Sequence, residues 1–544
     1  MRFRKTHKGI ALLMSMIILA ILSAWAVSIY SISGLNVQLA DNQHKVNSAL
    51  SAAESGLECG KYLVVHETLP YLDSTGSNFV TEAQANTVWA TLCEHIQLAA
   101  LGGQAVPNPT RFTDSGGSGD QIAAPLINVS SNEAAFAIRF YRYDGDPHTI
   151  KLQSIGTAGN ATRQVNVDME IKRDAKVLEY ALASAGRMWL TGDTTIHGNI
   201  FSSWDRADIS PFNLTSDSRV EGTINTALTL DEIQDEGAFQ LETLDENGDP
   251  MFDEQGYRIY SPQDEVQGYH EGINYDQPMD MPGMDIADYD TDEYKNTVMG
   301  ESGNGNIPAS AAIETEYFPH ATGNYNLPRD GTPGHTWNRR LGRHVYENQT
   351  FTDVRLPDDR NALFRNCTFE GTLYIDCYKS GSNHYNNVRF EGCQFNGVIV
   401  TDVPQQFKWQ HNCLYFTEQA TFNNTSGIQE ATILAPHFNV NLGNTNPVQS
   451  DNNVLTGAIV GGIVDVRGNA QIYGTIISMC DTTGWSSGYV TNIGATLDDG
   501  GSETTELGDI GVISITPEKD KMLPSGITSP IVIVPLQNSY SEGF

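Results

Sequence analysis

Residues 9–40 read GIALLMSMIILAILSAWAVSIYSISGLNVQLA and decide how the chain begins, because this stretch contains no charged side chain. It is longer than the ~20 apolar residues that a helix needs to span a bilayer. Four basic residues precede it, namely Arg2, Arg4, Lys5 and Lys8. Positive charge is retained on the cytoplasmic side of a membrane. The stretch therefore predicts a membrane helix with a cytoplasmic N-terminus and the bulk of the chain outside the cytoplasm.

The apolar pattern continues beyond the membrane-spanning length, so the helix is expected to be longer than the bilayer. Apolar residues recur at intervals of three, four or seven, and no proline occurs before Pro70. This spacing is that of one helix face. It predicts a single helix from about Ile10 to Val65. A cleaved signal peptide would end after a shorter apolar segment, and a plain signal anchor is the alternative.

Two short motifs in this helix carry a resemblance to a known family. Lys8–Leu13 reads KGIALL and Ser51–Glu58 reads SAAESGLE. Together they resemble the start of PilX-type minor pilins and are similar to the large minor pseudopilin of type II secretion systems, over about the first 65 residues. The resemblance implies that a prepilin peptidase cuts after Gly9 and leaves Ile10 as the methylated first residue.

The same resemblance implies an inner-membrane helix and other pilin or pseudopilin subunits as partners. The membrane-helix residues it implies are Ile10, Leu13, Met14, Ile17, Ile18 and Leu22. One of them departs from the family, because most major pilins have a glutamate at the fifth mature position, which here is Met14. A lone carboxylate in hydrocarbon is costly and is kept only where it is paired. Its absence favours a tip or initiating subunit over a subunit of the filament body.

The segment after the helix predicts a small α+β head. A helical pattern covers Glu82–Leu101. Three alternating stretches follow at Ala134–Tyr143, Ile150–Ile155 and Gln164–Lys172, with turn residues between them. This spacing predicts an antiparallel meander.

The C-terminal part contains repeats that predict a large right-handed parallel β-helix-like domain. Residues 366–376 align with residues 392–402, a weaker copy occurs at 412–416, and Gly457–Val466 and Met188–Ser203 have the same character. Equivalent residues of successive coils form ladders. Cys367, Cys393 and Cys413 are therefore expected to form an inward ladder of buried thiols beside stacked Phe369 and Phe395.

The expected fold class is α+β followed by all-β. The expected divisions are a prepilin leader at 1–9, the pilin helix at 10–66, the head at 67–175, the first solenoid coils at 176–230, an acidic insertion at 231–340, the solenoid at 341–490 and a C-terminal tail at 491–544.

The charge distribution argues against nucleic acid as a partner. The chain has 66 acidic and 32 basic residues, for a formal net charge of -34. Such a surface repels phosphate backbones. Acidic residues dominate 231–300, where Asp245, Asn247, Asp249 and Asp253 are candidate calcium ligands in oxygen-rich turns. The alternative is a solvated acidic surface, and no other cofactor is expected.

Two cysteines precede the repeats, Cys59 and Cys93. They either pair in an oxidising compartment or remain two buried thiols.

The sequence favours a structural protein that is not an enzyme. It contains no HExxH, GxSxG, P-loop or helix-opening GxGxxG motif. Asp376 and Asp402 share a repeat position, and a carboxylate pair is what a glycosidase uses; the alternative is a solvated turn ladder. An adhesin-like module for an unknown surface ligand on a simple anchor, and a surface polysaccharide-active enzyme, are the competing hypotheses.

Overall fold

The structure is a computed structural model that describes residues 8–66, 79–129, 134–207, 210–215, 217–232, 241–242, 260–261, 266–278, 281–319, 338–358, 360–377, 386–407, 412–417, 420–423, 431–442, 453–466, 468–479, 490–494, 510–517 and 523–543. The chain forms two compact units. The head unit comprises Met1–Asp73, Val80–Lys172 and Ile531–Phe544. The solenoid unit comprises Ser74–Phe79 and Arg173–Pro530.

The helices are α1 (Lys8–His66), α2 (Glu82–Leu98) and α3 (Asp292–Met299). The strands up to the middle of the chain are β1 (Thr110–Asp114), β2 (Gly117–Ala123), β3 (Ile127–Asn128), β4 (Ala134–Tyr143), β5 (Asp146–Ala158), β6 (Ala161–Arg173), β7 (Tyr180–Ser184), β8 (Arg187–Leu190), β9 (Thr194–Ile196), β10 (Asn199–Ser202), β11 (Phe212–Leu214), β12 (Arg219–Val220), β13 (Thr223–Thr226), β14 (Leu241–Glu242), β15 (Tyr260–Ser261), β16 (Gly272–Asn274), β17 (Gly305–Asn306) and β18 (Ile313–Pro319). The later strands are β19 (Asn338–Glu347), β20 (Thr350–Leu356), β21 (Asn361–Arg365), β22 (Thr368–Ile375), β23 (Asn387–Glu391), β24 (Gln394–Thr401), β25 (Cys413–Thr417), β26 (Thr421–Phe422), β27 (Ala431–Leu442), β28 (Asn453–Thr456), β29 (Ala458–Val466), β30 (Gly468–Tyr473), β31 (Ile476–Ser478), β32 (Val490–Ile493), β33 (Ile510–Thr516), β34 (Ile531–Pro535) and β35 (Ser541–Gly543).

The predicted long helix is confirmed as α1, which is continuous over 59 residues. At 1.5 Å per residue it is about 88 Å long. The second predicted helix is α2, and it begins with a capping box in which the Thr81 hydroxyl and the Gln84 side chain satisfy each other's backbone N–H groups. It ends at Leu98, before Ala100 adopts a left-handed backbone conformation.

The predicted meander is confirmed as β4, β5 and β6, which pair antiparallel in the centre of the head sheet. One detail differs from the expectation, because β5 continues through Gly156 to Ala158 where the sequence indicates a turn. The turn lies instead at Gly159 and Asn160, and Gly159 has a positive φ of 57°. Gly156 is a contact point for α1, as the next subsection describes.

The head sheet takes strands from both ends of the chain. Its order is β1-β2-β4-β5-β6-β34, and β35 also pairs with β6. The sequence predicts a tail over 491–544, but β33 lies in the solenoid and β34 and β35 lie in the head sheet. These strands are short, with polar residues between them, so the sequence pattern does not reveal them. The solenoid unit is thus inserted in the chain between two neighbouring strands of the head sheet.

The solenoid unit is built of three faces of parallel strands. The first face contains β7, β10, β13, β16, β17 and β31, the second contains β8, β11, β19, β21, β23, β25 and β32, and the third contains β9, β12, β26, β28, β30 and β33. Strands β20, β22, β24, β27 and β29 bend from one face to another, so each contributes to two of them. The predicted class, α+β followed by mostly parallel all-β structure, is confirmed, while its right-handedness stays a prediction.

The coils are not stacked in chain order. The first coil, β7–β9, lies between β10–β12 and the last coil, β31–β33. The last coil pairs with the first in register, with Ile476 beside Leu182, Thr491 beside Met188 and Ser514 beside Thr195. From β7 to β16 the coils are therefore added in one direction. The chain then continues at the opposite end of the solenoid with β17, and the later coils are added back toward the first coil, with which the last coil pairs.

A segment that we name the strap, residues 281–299, covers the outer side of the first face. Its Met281, Tyr289 and Val298 are buried in one apolar cluster with outward-facing residues of successive coils, among them Phe201, Ile477, Val460, Leu434 and Tyr374. α3, at the end of the strap, contacts β17, β20 and β22. The sequence predicts an acidic insertion over 231–340, whereas β16, the strap and β17 within that range are integral parts of the solenoid.

Two columns of phenylalanine fill the interior near the repeats. Phe369, Phe395 and Phe422 stack in one column, and Phe364, Phe390 and Phe416 stack in the other. The predicted stacking of Phe369 on Phe395 is confirmed, with ring centroids 5.1 Å apart.

The predicted cysteine ladder is only partly correct. Cys367 and Cys393 precede the paired residues Thr368 and Gln394, and both are buried. Cys413 lies on the second face, opposite Asn387 and Asn439. One coil is 26 residues, the separation between Cys413 and Asn439. The pairing of Gln394 with Thr421 places Ala420 at the position equivalent to Cys393 in the next coil, so Cys413 does not belong to its ladder.

Candidate functional site

The N-terminal half of α1 is an exposed apolar surface. From Ala11 to Leu39 every large apolar side chain is exposed, including Leu13, Met14, Ile17, Ile18 and Leu22. This stretch is long and apolar enough to cross a membrane, and none of its most apolar window is buried within the chain. Gly9 and Ile10 belong to the first turns of the same helix. The arrangement leaves about 30 residues of apolar helix for a bilayer or for other subunits to cover.

The C-terminal half of α1 has the opposite environment and is packed on the head sheet. Ala49, Ala52, Ala53, Leu57 and Val64 are buried, and α1 contacts β4 and β5. Burial of apolar surface contributes roughly 25 cal/mol per Å². The buried face of the C-terminal half therefore holds α1 on the sheet, while the described residues of the N-terminal half make no such contact.

Glycines allow the helix to approach the sheet closely. A Cβ atom on Gly156 would lie 2.0 Å from the Ala49 carbonyl oxygen and 2.3 Å from the Ala53 backbone nitrogen. On the helix side, Gly56 faces Ser154 and Phe136, and Gly60 faces Leu152. The SAAESGLE motif thus supplies small residues where the helix meets the strands, and its partner glycine lies on β5.

Cys59 and Cys93 lie in or against the core of the head. Both are free thiols in the structure, so a disulfide between them stays a prediction. Burial raises the pKa of Cys93 to about 12 and also raises that of Cys59. Neither thiol is activated as a nucleophile, since activation requires a lowered pKa.

The candidate calcium ligands Asp245, Asn247, Asp249 and Asp253 fall outside the described residues, between the paired strands β14 and β15. Across the part of the chain that the structure describes, no group of three or more His, Cys, Asp or Glu side chains could hold a metal ion. Calcium binding at these turns stays a prediction.

The carboxylate pair Asp376 and Asp402 is placed side by side but is not solvated. Both side chains are buried. The Arg355 guanidinium donates to both oxygens of Asp376, and Lys295 Nζ lies 3.8 Å from Asp376 and 3.9 Å from Asp402. The solvated turn ladder is therefore a wrong expectation, because cations from β20 and the strap neutralise the pair. Carboxylates paired in this way hold Lys295 of the strap against the coils.

The sequence shows the two carboxylates but gives no signal for their counterions. Arg355 lies in the preceding coil. Lys295 belongs to the strap, which connects β16 at one end of the solenoid to β17 at the other and contacts the repeats on the way. The Tyr374 hydroxyl, 3.5 Å from an Asp402 oxygen, completes the cluster.

A second charged cluster lies near the β17–β19 end of the second face. Arg365 on β21 donates two hydrogen bonds to Glu314, at 2.8 and 2.9 Å, and also contacts Glu347 and Glu391. Hydrogen bonding to Arg365 lowers the pKa of Glu314 below its ordinary value of 4.5, and the charge of Arg365 adds to this effect. One cation thus holds three carboxylates from three strands.

This cluster predicts a loss of solenoid stability in acid. The lowered pKa keeps Glu314 charged in the folded protein at a pH where the unfolded chain takes up a proton. The stabilisation is complete above pH 4.5 and is lost as the pH falls through the lowered folded value. We expect the melting temperature of the solenoid to fall over this range in wild type and to fall less steeply in Arg365→Gln, measured by calorimetry. Equal slopes in the two proteins would contradict the assignment.

The comparison with protein families agrees with the description of α1. Residues 8–58 match the family described as PilX N-terminal. No curated protein matches the chain. Among solved structures, the competence-associated pilin ComZ from Thermus thermophilus is 14% identical, over 92% of this chain and 98% of that one, with a TM-score of 0.25. The family match covers both motifs of α1, so it is the N-terminal segment, residues 8–58, that is similar to the PilX N-terminal family.

Proposed function

We propose that this chain is a minor pilin or pseudopilin, placed at the tip or initiation point of a filament, that displays the solenoid outside the cytoplasm. The observation that carries the proposal is the division of α1 into an exposed apolar half and a half packed on the head. A helix that only anchors a protein has no need to continue as one rigid rod into a folded head. A filament subunit needs such a continuous helix, because a rigid helix fixes the position of the head relative to the half of the helix that lies in the membrane.

Met14 supports a place at the end of the filament. Its exposed apolar side chain stands at the position where the family has a carboxylate for the neighbouring subunit's amine. A subunit without that carboxylate has no charge partner to offer a preceding subunit in the membrane. Such a subunit fits the first position, where no earlier subunit is present.

The display role is supported by the size and rigidity of the solenoid. Its aromatic columns and the pairing of its last coil with its first make a stiff body. The ligand is an unidentified surface partner. The other subunits are expected to contact α1.

Processing is the decisive experiment. We expect the protein extracted from membranes to lack residues 1–9 and to begin with a methylated Ile10, as read by intact-mass and N-terminal peptide spectrometry. Replacing Gly9 with valine should leave the full-length chain, while Gly34→Ala, a change on an open part of the same helix, should be processed normally.

A full-length N-terminus in wild type would refute the pilin role and favour the adhesin-like module on a simple anchor. If the chain is processed, labelled antibody against the solenoid should mark one end of sheared filaments. Labelling along the whole filament would contradict the tip position but not the pilin role.

A further inference from the structure

The head sheet cannot be completed by the chain that precedes the solenoid. Strands β1–β6 come before residue 174, but β34 and β35, which lie along the outer edge of β6, come after residue 530. Everything between them belongs to the solenoid unit. The last strands of the head sheet therefore follow the solenoid in the chain.

These late strands are part of the head core. Ile531 and Ile533 are each 4% exposed and pack in one cluster with Val167, Met169 and Ile171 of β6. The strand β34 also contacts α1. Burial of two isoleucine side chains is a large part of the stability of a small domain.

Polar contacts close the edge of β6 as well. The Leu536 N–H donates to the Asp168 carbonyl at 2.8 Å, and the Asp168 N–H donates to Ser539 Oγ at 3.1 Å. The Asn166 side chain donates to Ser541 Oγ at 3.3 Å. Without residues 531–543, β6 would present a long edge with unpaired backbone groups.

The residues just before β34 are held by the folded solenoid. Leu523 and Ile527 are buried in the cluster under the strap, where Ile527 bridges to Tyr289. The Arg173 side chain donates to the Ser529 carbonyl at 2.6 Å, and the Asp174 N–H donates to the Pro530 carbonyl at 3.0 Å. The point where the chain leaves the solenoid is thus fixed beside the point where it enters.

We propose that β34 and β35 couple completion of the pilin head to folding of the solenoid, so that only a chain with a finished solenoid presents a head competent to join a filament. This inference rests on the proposed function for its consequence, filament entry. Its physical part, the dependence of the head on the solenoid, stands without it. The coupling would keep chains with an unfolded cargo out of the filament.

Hydrogen exchange of β6 in the purified, detergent-solubilised full chain tests the physical part. In Ile533→Asp we expect the Asp168 amide to exchange at least about tenfold faster than in wild type, since tenfold corresponds to only 1.36 kcal/mol. Pro535→Asp, a change at an exposed position of the same strand, should leave the rate unchanged. Unchanged exchange in Ile533→Asp would overturn the role of β34.

A solenoid variant tests the coupling itself. Phe390→Asp changes no head residue but places a charge in the solenoid interior, and we expect it to expose Asp168 to exchange as well. Normal protection of β6 in this variant would overturn the coupling. Filaments that lack the chain would refute the proposed function and leave these results unaffected.

Discussion

Replacing Gly156 with alanine is expected to destabilise the head by about 3 kcal/mol, at the upper end of the usual cost of overpacking. The added methyl group would lie 2.0 Å from the Ala49 carbonyl oxygen. A backbone atom of a packed helix cannot turn away as a flexible side chain can. The contact therefore has to be relieved by moving α1 off the sheet, which separates Ala53 and Leu57 from their neighbours on β4 and β5.

The matched control is the same chemical change at Gly145, in the turn between β4 and β5, where a Cβ atom would meet nothing within 4 Å. We expect Gly145→Ala to stay within about 0.5 kcal/mol of wild type. Hydrogen exchange of β5 and the head's melting transition distinguish the two variants. If the head of both variants melts at the wild-type temperature, the close approach of helix and strand is not a determinant of the head's stability.

The pair formed by Gly156 and α1 illustrates what the sequence could and could not predict. The helix itself follows from periodicity and from the absence of proline and charge. A glycine next to Thr157 and Gly159 looks like turn chemistry, because glycine's freedom at positive φ is the commonest reason for its presence. Its actual role is the missing side chain, and that depends on a helix turn about 100 residues earlier in the chain. Local patterns carry no information on such a distant approach.

The solenoid was predictable in its repeats and unpredictable in its closure. Phe369 and Phe395 reveal the coil because they recur at one fixed offset. The sequence places Cys413 in the wrong ladder because its local motif resembles the repeat, although its distance from Cys393 differs from the distance between Cys367 and Cys393. Pairing of the first coil with the last joins residues such as His197 and Ser514, which are 317 positions apart. No periodicity marks that contact, since each coil offers equally good edges to any other coil.

The candidate site divides in the same way. The membrane residues of α1 and the family resemblance came from contiguous motifs. The repeat position of Asp376 and Asp402 predicts that they form a pair, but their burial beside cations depends on Lys295 in the strap and Arg355 in the preceding coil.

The interior aromatic columns give the second large expected effect. Replacing Phe390 with alanine should destabilise the solenoid by about 3–5 kcal/mol. Its ring is fully buried and stacks on Phe364 and Phe416, with centroids 5.4 and 5.1 Å away, and it meets Phe369 and Phe395 edge-on. Because the neighbouring rings are held by their own coils, they cannot collapse fully into the space, and the cavity adds to the lost transfer free energy.

Tyr473→Ala supplies the matched comparison, since it also removes an aromatic ring from a solenoid strand, but one that is 40% exposed. We expect its free energy of unfolding to fall by no more than about 1 kcal/mol. Urea unfolding followed by hydrogen exchange of β21, β23 and β25 measures both. Equal effects of the two substitutions would contradict a special contribution of the aromatic columns to stability. A loss that is much larger in Phe390→Ala would show that the packed rings hold successive coils of the solenoid together.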